Sequence, residues 1–312
     1  MSNVIKVAVV GAGGTGGYYG GALSRQGHDV TMIARGSHLD SIKSKGLQVN
    51  SVLLGDFHLD ITATDNMDSI GTVDLIIFAV KSYGTFDAIK AMHNLMGPKT
   101  LIISTQNGID SEHLLSQAFG VNHVLGCTAT VSSMIEEPGI ISQKGGPGSL
   151  EIGEINGGVS ERVNKIVSIC SKAGLAVESH KNIVLAIWKK FIFICALSGM
   201  TALTRKPIGE IFSQATTTDM YHQVLAEVVA VGKAEGIDIP DDTADSTLRT
   251  TKSREPFIIG SMGHDLLAGR PIEIGLLNGR VNELGRKHNI PTPSNTAIEA
   301  ALRPHEHGSL SS

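Results

Sequence analysis

The strongest constraint on this chain lies near its start. A largely apolar run, Val4–Val10, passes directly into Gly11-Ala12-Gly13-Gly14-Thr15-Gly16 and then into a helical pattern over Thr15–Gln26. The six residues match G-x-G-x-x-G. With 36 glycines in 312 residues the string alone is weak. A strand before it and a helix after it give it physical meaning as a dinucleotide loop. In that reading Gly11 permits a tight turn, Gly13 lets backbone approach a pyrophosphate, and Gly16 lets helix and strand pack closely. Free amides and the positive helix end then face the anion. The plain alternative is a glycine-rich turn. Gly27 closes the helix as a residue suited to the left-handed C-cap.

The strand–helix alternation continues. Asp29–Arg35, Val73–Val80 and Thr100–Gln106 read as strands, with a helix over Tyr83–Leu95. Such alternation implies a parallel sheet with right-handed crossovers. Leu47–Ile61 reads as an inserted hairpin or meander. Val124–Glu154 is strand-like, with turn signals at Pro138-Gly139 and Lys144–Gly148. A helix over Gly158–Ala173 and a strand over Leu175–Glu178 follow. After His180 the pattern is helical: Asn182–Thr201, Thr218–Glu235, Thr247–Ala268 and Ile272–His288. The expected architecture is an α/β Rossmann-type domain over residues 1–180 and an all-α domain over 181–312. About 150 residues per domain is an ordinary size. The tail from Arg303 reads as loose.

Composition narrows the function. Twenty-six basic against 30 acidic residues give a formal charge of -4, so neither nucleic acid nor an anionic membrane is broadly attracted. Cys127, Cys170 and Cys195 are odd in number and far apart, which fits neither a disulfide framework nor a zinc site. The twelve histidines show no H-E-x-x-H spacing, so no metal is assigned. No G-x-S-x-G elbow appears. The N-terminus lacks the features of a secretory signal, which makes the cytoplasm the expected compartment. Ile183–Leu197 is strongly apolar, yet spans 15 residues with Lys189 and Lys190 at its middle. A membrane span needs roughly 20 apolar residues, and the stretch reads as a buried helix of a soluble protein.

Candidate binding residues sit at strand ends. An acid about 20 residues beyond the loop suits the ribose of NAD, whereas arginine suits a 2′-phosphate. Arg35 at the end of the second strand therefore points to NADP(H), against the simpler reading of a solvated strand-end residue. Lys81 and Asn107-Gly108 each follow a strand directly, where ligands bind in open α/β sheets. Asn107-Gly108 also reads as an ordinary turn.

In the helical half, adjacent Lys189 and Lys190 point about 100° apart on a helix, so one faces solvent while the other turns inward. A lysine in apolar surroundings suits proton transfer near neutrality; two snorkelling side chains are the bland alternative. Downstream, Gly269 can cap one helix and Pro271 begin the next, with Glu273 in its first turn. Ser261 reads equally as a helix-face hydroxyl.

Taken in order, Gly11–Gly16, Lys81, Gln106-Asn107-Gly108, Trp188-Lys189-Lys190, Thr201-Ala202-Leu203 and the Ser261–Asn278 stretch with A-G-R-P-I-E-I resemble the ketopantoate reductase family. The resemblance runs from Val7 to about Pro293. It implies an active site in a cleft between a Rossmann domain and a helical domain, and NADPH-dependent reduction of 2-dehydropantoate to (R)-pantoate. Matched residue by residue, it implies that Lys190 is the catalytic lysine and that Glu273 supports both lysine and cofactor. Asn107 would lie near nicotinamide and keto acid, Ser261 near the substrate, and Lys81 on the cofactor side. Lys190 as ammonium would stabilise the developing oxyanion and deliver its proton.

Two positions depart from the pattern. Some members carry asparagine where this chain has Ile194, and again where it has Ser198, which is placed with Asn107, Lys190 and Ser261 among the substrate-side residues. Fewer polar partners mean weaker discrimination for the substrate's polar groups. A reductase of another branched 2-keto or 3-hydroxy acid is thus the alternative enzyme, and a non-catalytic NADP(H) sensor the alternative from another class. The partner expected is a small 2-keto acid; the oligomeric state is open, a homodimer being one candidate.

Overall fold

Successive residues of the central strands face opposite sides of one sheet, and each side has its own core. In the computed structural model, which describes residues 4–309, the elements are β1 Lys6–Val10, α1 Gly14–Arg25, β2 Asp29–Ile33, α2 Gly36–Lys45, β3 Leu47–Ser51, β4 Phe57–Leu59, β5 Thr62–Thr64, β6 Leu75–Phe78, α3 Thr85–Ala91, β7 Leu101–Ser104, α4 Ser111–Phe119, β8 Val124–Glu137, β9 Ile140–Gly153, α5 Glu161–Lys172 and β10 Ala176–Ser179. The helical part comprises α6 Ile183–Thr204, α7 Ile208–Phe212, α8 Ala215–Ala234, α9 Thr243–Lys252, α10 Ser261–Leu267, α11 Arg280–His288 and α12 Pro293–Leu302, with a π-helical turn at Gly275–Gly279. Val7, Val9, Leu75 and Ile77 pack with Tyr19 and Leu23 of α1 and Ile166 of α5. Their neighbours Ala8, Val10, Ile76 and Phe78 pack on the other face with Ile89 of α3 and Leu115 of α4. The period-2 alternation of a doubly covered sheet is the cause.

The sheet order is β4-β3-β9-β8-β7-β6-β1-β2-β5. From β5 through β2, β1 and β6 to β7 the neighbours are parallel, so the strand order reverses between β1 and β6. That is the switch point where such sheets bind ligands. β8 and β9 form a long antiparallel pair. On its other edge β9 pairs in parallel with β3 over Ile140–Gln143 and with β10 over Ser149–Ile152. The chain divides into two compact units, Met1–Gln106 with Asp110–Ala186, and Asn107–Ile109 with Ile187–Ser312. The first is the α/β Rossmann-type sheet unit and the second is helical.

Several expectations are corrected. Lys144–Gly148 is not a turn: it lies inside β9, where the register against β8 shifts between Thr130 and Ser133. Glycine serves a bulge as readily as a turn. The expected helix Thr247–Ala268 is two helices, α9 and α10. The segment between them carries Pro256, whose carbonyl accepts the Gly209 N–H at 2.8 Å, while that of Ile258 accepts the Ile208 N–H at 3.0 Å. These bonds satisfy first-turn amides of α7. The expected helix from Ile272 begins at Gly275, so Glu273 precedes it rather than occupying its first turn. Residues 303–309 of the tail are docked, positions 310–312 lying outside the described residues: Ile272 N–H donates to the Glu306 carbonyl at 3.0 Å and Ser309 N–H to that of Gly269 at 2.9 Å. Helix α6 has 22 residues, so its length alone does not exclude a span; 72% of its most apolar stretch is buried within the protein, as in a core helix.

Candidate functional site

At the end of β1 the chain turns through Gly11, whose φ of +100° favours glycine. A Cβ there would lie 2.8 Å from the Ala79 backbone that follows β6. A Cβ at Gly16 would collide with the Gly11 carbonyl and sit 2.9 Å from Val9 Cγ1, so only glycine lets α1 start directly on β1. Gly14 is held as closely against the backbone of Ser133 and Met134, whereas a Cβ at Gly13 would meet nothing within 4 Å. The Gly17 N–H donates to the Gly13 carbonyl at 2.7 Å. The amides of Gly14, Thr15 and Gly16 thus precede the first intrahelical bond, the arrangement that receives an anion.

The expectation of free amides needs one correction. Gly11 and Ala12 N–H both donate to the Ile33 carbonyl, at 3.3 and 2.8 Å. They hold the loop to the end of β2, and the donors that remain for a phosphate lie further along, at residues 13–16.

Sequence reasoning missed the group on the other side of Ala12. His38 Nδ1 accepts the Gly139 N–H at 3.0 Å, so the proton is on Nε2, which donates to the Ala12 carbonyl at 2.9 Å. The ring is 8% exposed. Burial pushes its pKa down, the Ala12 bond opposing this in part. No local pattern signals a contact spanning 101 residues.

Arg35 is exposed, in extended backbone immediately before α2. Lys81 is also exposed, one residue before the 3₁₀ turn Ser82–Gly84. Gln106 braces the ends of β6 and β7: its Nε2 donates to the Val80 carbonyl and to Thr85 Oγ1, both at 2.8 Å, and its Oε1 accepts from Ser111 Oγ at 2.6 Å. Asn107 is half-buried and groups with the helical unit, where Gly108, at φ +96°, sits against Leu276.

In the helical unit Lys189 is exposed and Lys190 half-buried, the divergence that helical geometry requires of adjacent positions. Lys190 shares a helix face, at spacings of four and eight, with Ile194 and Ser198; these are 9% and 3% exposed. A Cβ at Gly260 would lie 2.6 Å from Ser198 Oγ, so the residue before Ser261 packs flat on α6. Ser261 itself is exposed and begins α10. Glu273 is half-buried, and its carbonyl accepts the Leu277 N–H at 3.3 Å. The π-helical turn that follows is tied down by Asn278, which donates to the Cys195 carbonyl at 3.3 Å and to Asn295 Oδ1 at 2.9 Å. Asn295 in turn donates to Glu227 Oε2 at 2.7 Å.

Residues 7–157 match the family model described as Ketopantoate reductase PanE/ApbA, and residues 182–306 match Ketopantoate reductase PanE/ApbA C terminal. A 2-dehydropantoate 2-reductase of Pyrococcus abyssi is 30% identical over 303 residues, covering 96% of this chain and 97% of its own. A solved PanE/ApbA family ketopantoate reductase from Ralstonia eutropha JMP134 is similar with a TM-score of 0.88 at 32% identity, covering 96% of this chain and 98% of its own. D-mandelate dehydrogenase, solved in a ternary complex with NADH and anilino(oxo)acetate, shares the fold at a TM-score of 0.89 and 22% identity, covering 96% of this chain and 98% of its own.

Proposed function

Because the chain belongs to the ketopantoate reductase family and is an oxidoreductase, we propose that it reduces 2-dehydropantoate to (R)-pantoate with NADPH. The observation that carries this reading is that the two matched stretches contain every residue the reaction would use, from Gly11 to Asn107 in one and from Lys190 to Glu273 in the other.

The loop fits a dinucleotide: space is open over Gly13, and the first-turn amides of α1 have no acceptor inside the helix. Gly13, Gly14, Thr15 and Gly16 would hold the pyrophosphate, with Gly11 and Ala12 shaping the turn against β2. Arg35 would hold the 2′-phosphate, and Lys81 and Asn107 the nicotinamide half. Bound there, a nicotinamide cofactor supplies the hydride that the ketone carbon accepts. Lys190 Nζ, as an ammonium, donates a hydrogen bond to the ketone oxygen, stabilises the charge that develops on it and passes it a proton. Glu273 keeps that ammonium aimed and supports the cofactor, while Ser261 and Ser198 act on the substrate side.

A second reading, reduction of another branched 2-keto acid, is favoured by the apolar Ile194 beside the lysine face. Oxidation of NADPH on adding ketopantoate, with kcat/KM compared across a panel of branched keto acids, tests both. Highest kcat/KM on ketopantoate supports the first, a clear preference for another acid the second. No turnover on any of them would leave only cofactor binding.

A further inference from the structure

The Ala12 peptide groups are gripped from both sides. Ala12 N–H donates to the Ile33 carbonyl at 2.8 Å and its carbonyl accepts from His38 Nε2 at 2.9 Å. A trans peptide is planar, with its C=O and the following N–H pointing opposite ways. Fixing the Ala12 carbonyl on the imidazole therefore aims the Gly13 N–H away from it. Gly13 is also the loop position with open space beside it. Glycine-rich backbone has wide conformational freedom, and this grip removes much of it.

The same ring reaches two other elements. His38 lies in the first turn of α2, three residues after Arg35, and its Nδ1 holds the Gly139 N–H of the β8–β9 turn at 3.0 Å. Because Nδ1 is committed as an acceptor, the proton must be on Nε2, which is the state the Ala12 bond requires. Three segments far apart in sequence meet on one imidazole.

We propose that His38 is a positioning residue for the dinucleotide: its Nε2–H fixes the Ala12–Gly13 peptide so that the Gly13 amide, with those at the start of α1, is presented to the pyrophosphate. It also ties that loop to the helix start that carries Arg35. This rests on the reading of Gly11–Gly16 as the cofactor loop.

Two amide variants separate the two bonds of the ring. His38→Gln places an N–H near the Nε2 position and keeps the Ala12 bond while giving up Nδ1. His38→Asn places an acceptor near Nδ1, keeps the Gly139 bond and cannot reach Ala12. Binding of NADPH is measured by fluorescence titration, with the melting temperature read for each variant. The Gln variant is expected to bind within about threefold of the native protein and the Asn variant about tenfold more weakly, one hydrogen bond's worth. In both, kcat at saturating NADPH stays close to native.

Equal NADPH affinity in the two variants overturns the proposal. If the Asn variant does not fold, the native protein decides. Its histidine ¹⁵N spectrum should show His38 as the Nε2–H tautomer, and the Gly13 amide should shift on adding NADPH; an Nδ1–H tautomer or an unmoved Gly13 amide overturns it. Failure of the native protein to bind NADPH or NADH at all would instead remove the reading on which the proposal stands.

Discussion

The Gly260 N–H donates to Thr201 Oγ1 at 3.0 Å, and both residues are buried. The hydroxyl in turn donates to the Leu197 carbonyl at 2.6 Å. Thr201→Val keeps the volume and leaves the Gly260 donor without an acceptor, a loss of about 1–3 kcal/mol. Because Gly260 precedes Ser261, KM for the keto acid is expected to rise more than kcat falls. Thr201→Ser should restore both. Unfolding curves and steady-state kinetics check this.

Lys190→Ala should reduce kcat/KM at least about a hundredfold, the usual size of a lost acid–base contribution. NADPH affinity, measured by titration, should remain near native. Near-normal turnover in that variant would remove Lys190 from the mechanism.

Arg35→Asp places a carboxylate where a 2′-phosphate is expected. NADPH binding should weaken by about tenfold or more, as expected when a charge-assisted bond is replaced by repulsion, while NADH binding changes little. An unchanged NADPH dissociation constant would count against the assignment.

Gly16→Ala forces a Cβ into the Gly11 carbonyl and against Val9. Backbone cannot yield as a flexible side chain does, so a cost of about 1–3 kcal/mol is expected. Cofactor binding should fall with it. Calorimetry of the variant with and without NADPH separates the two effects.

Glu154 accepts from Arg162 Nε at 2.8 Å and from Arg162 Nη2 at 2.5 Å. The hydrogen bonds from Arg162 hold its carboxyl below the usual range, desolvation opposing and Ser160 adding to the shift. A depressed pKa means the contribution is complete above about pH 4.3 and fades as the pH falls toward the lowered value. Glu154→Gln should cost about 0.5–1.5 kcal/mol at neutral pH and progressively less under acid, as urea unfolding at several pH values would show.

Legibility differed by the range of the interaction. Gly11, Gly16 and Gly27 could be read because turn, helix start and C-cap are local, and their roles follow from φ and the absence of Cβ. Lys189 and Lys190 diverge as helical spacing requires. His38 was hidden because its partners lie 26 and 101 residues away. The break between α9 and α10 was within reach, since Pro256 interrupts the expected helix and proline disfavours a helix interior. Lys144–Gly148 could not be told from a turn, because pairing with β8 decides between turn and bulge. The π-helical register of Gly275–Gly279 depends on Asn278 finding Cys195 and Asn295, which sequence order conceals.

A single 14-residue strand, β9, serves as the shared rail for β3 from the early chain and β10 from the late chain, on the same edge. Neither can pair there until the residues of β9 that it meets have been synthesised. A shortened chain stopping ahead of Ile140 would therefore keep the whole Gly11–Gly16 loop yet leave the β3–β4 hairpin with an open, adhesive flank. The smallest piece of this protein that keeps the Gly11–Gly16 loop and a fully paired β3 is set by that strand, well beyond the loop itself.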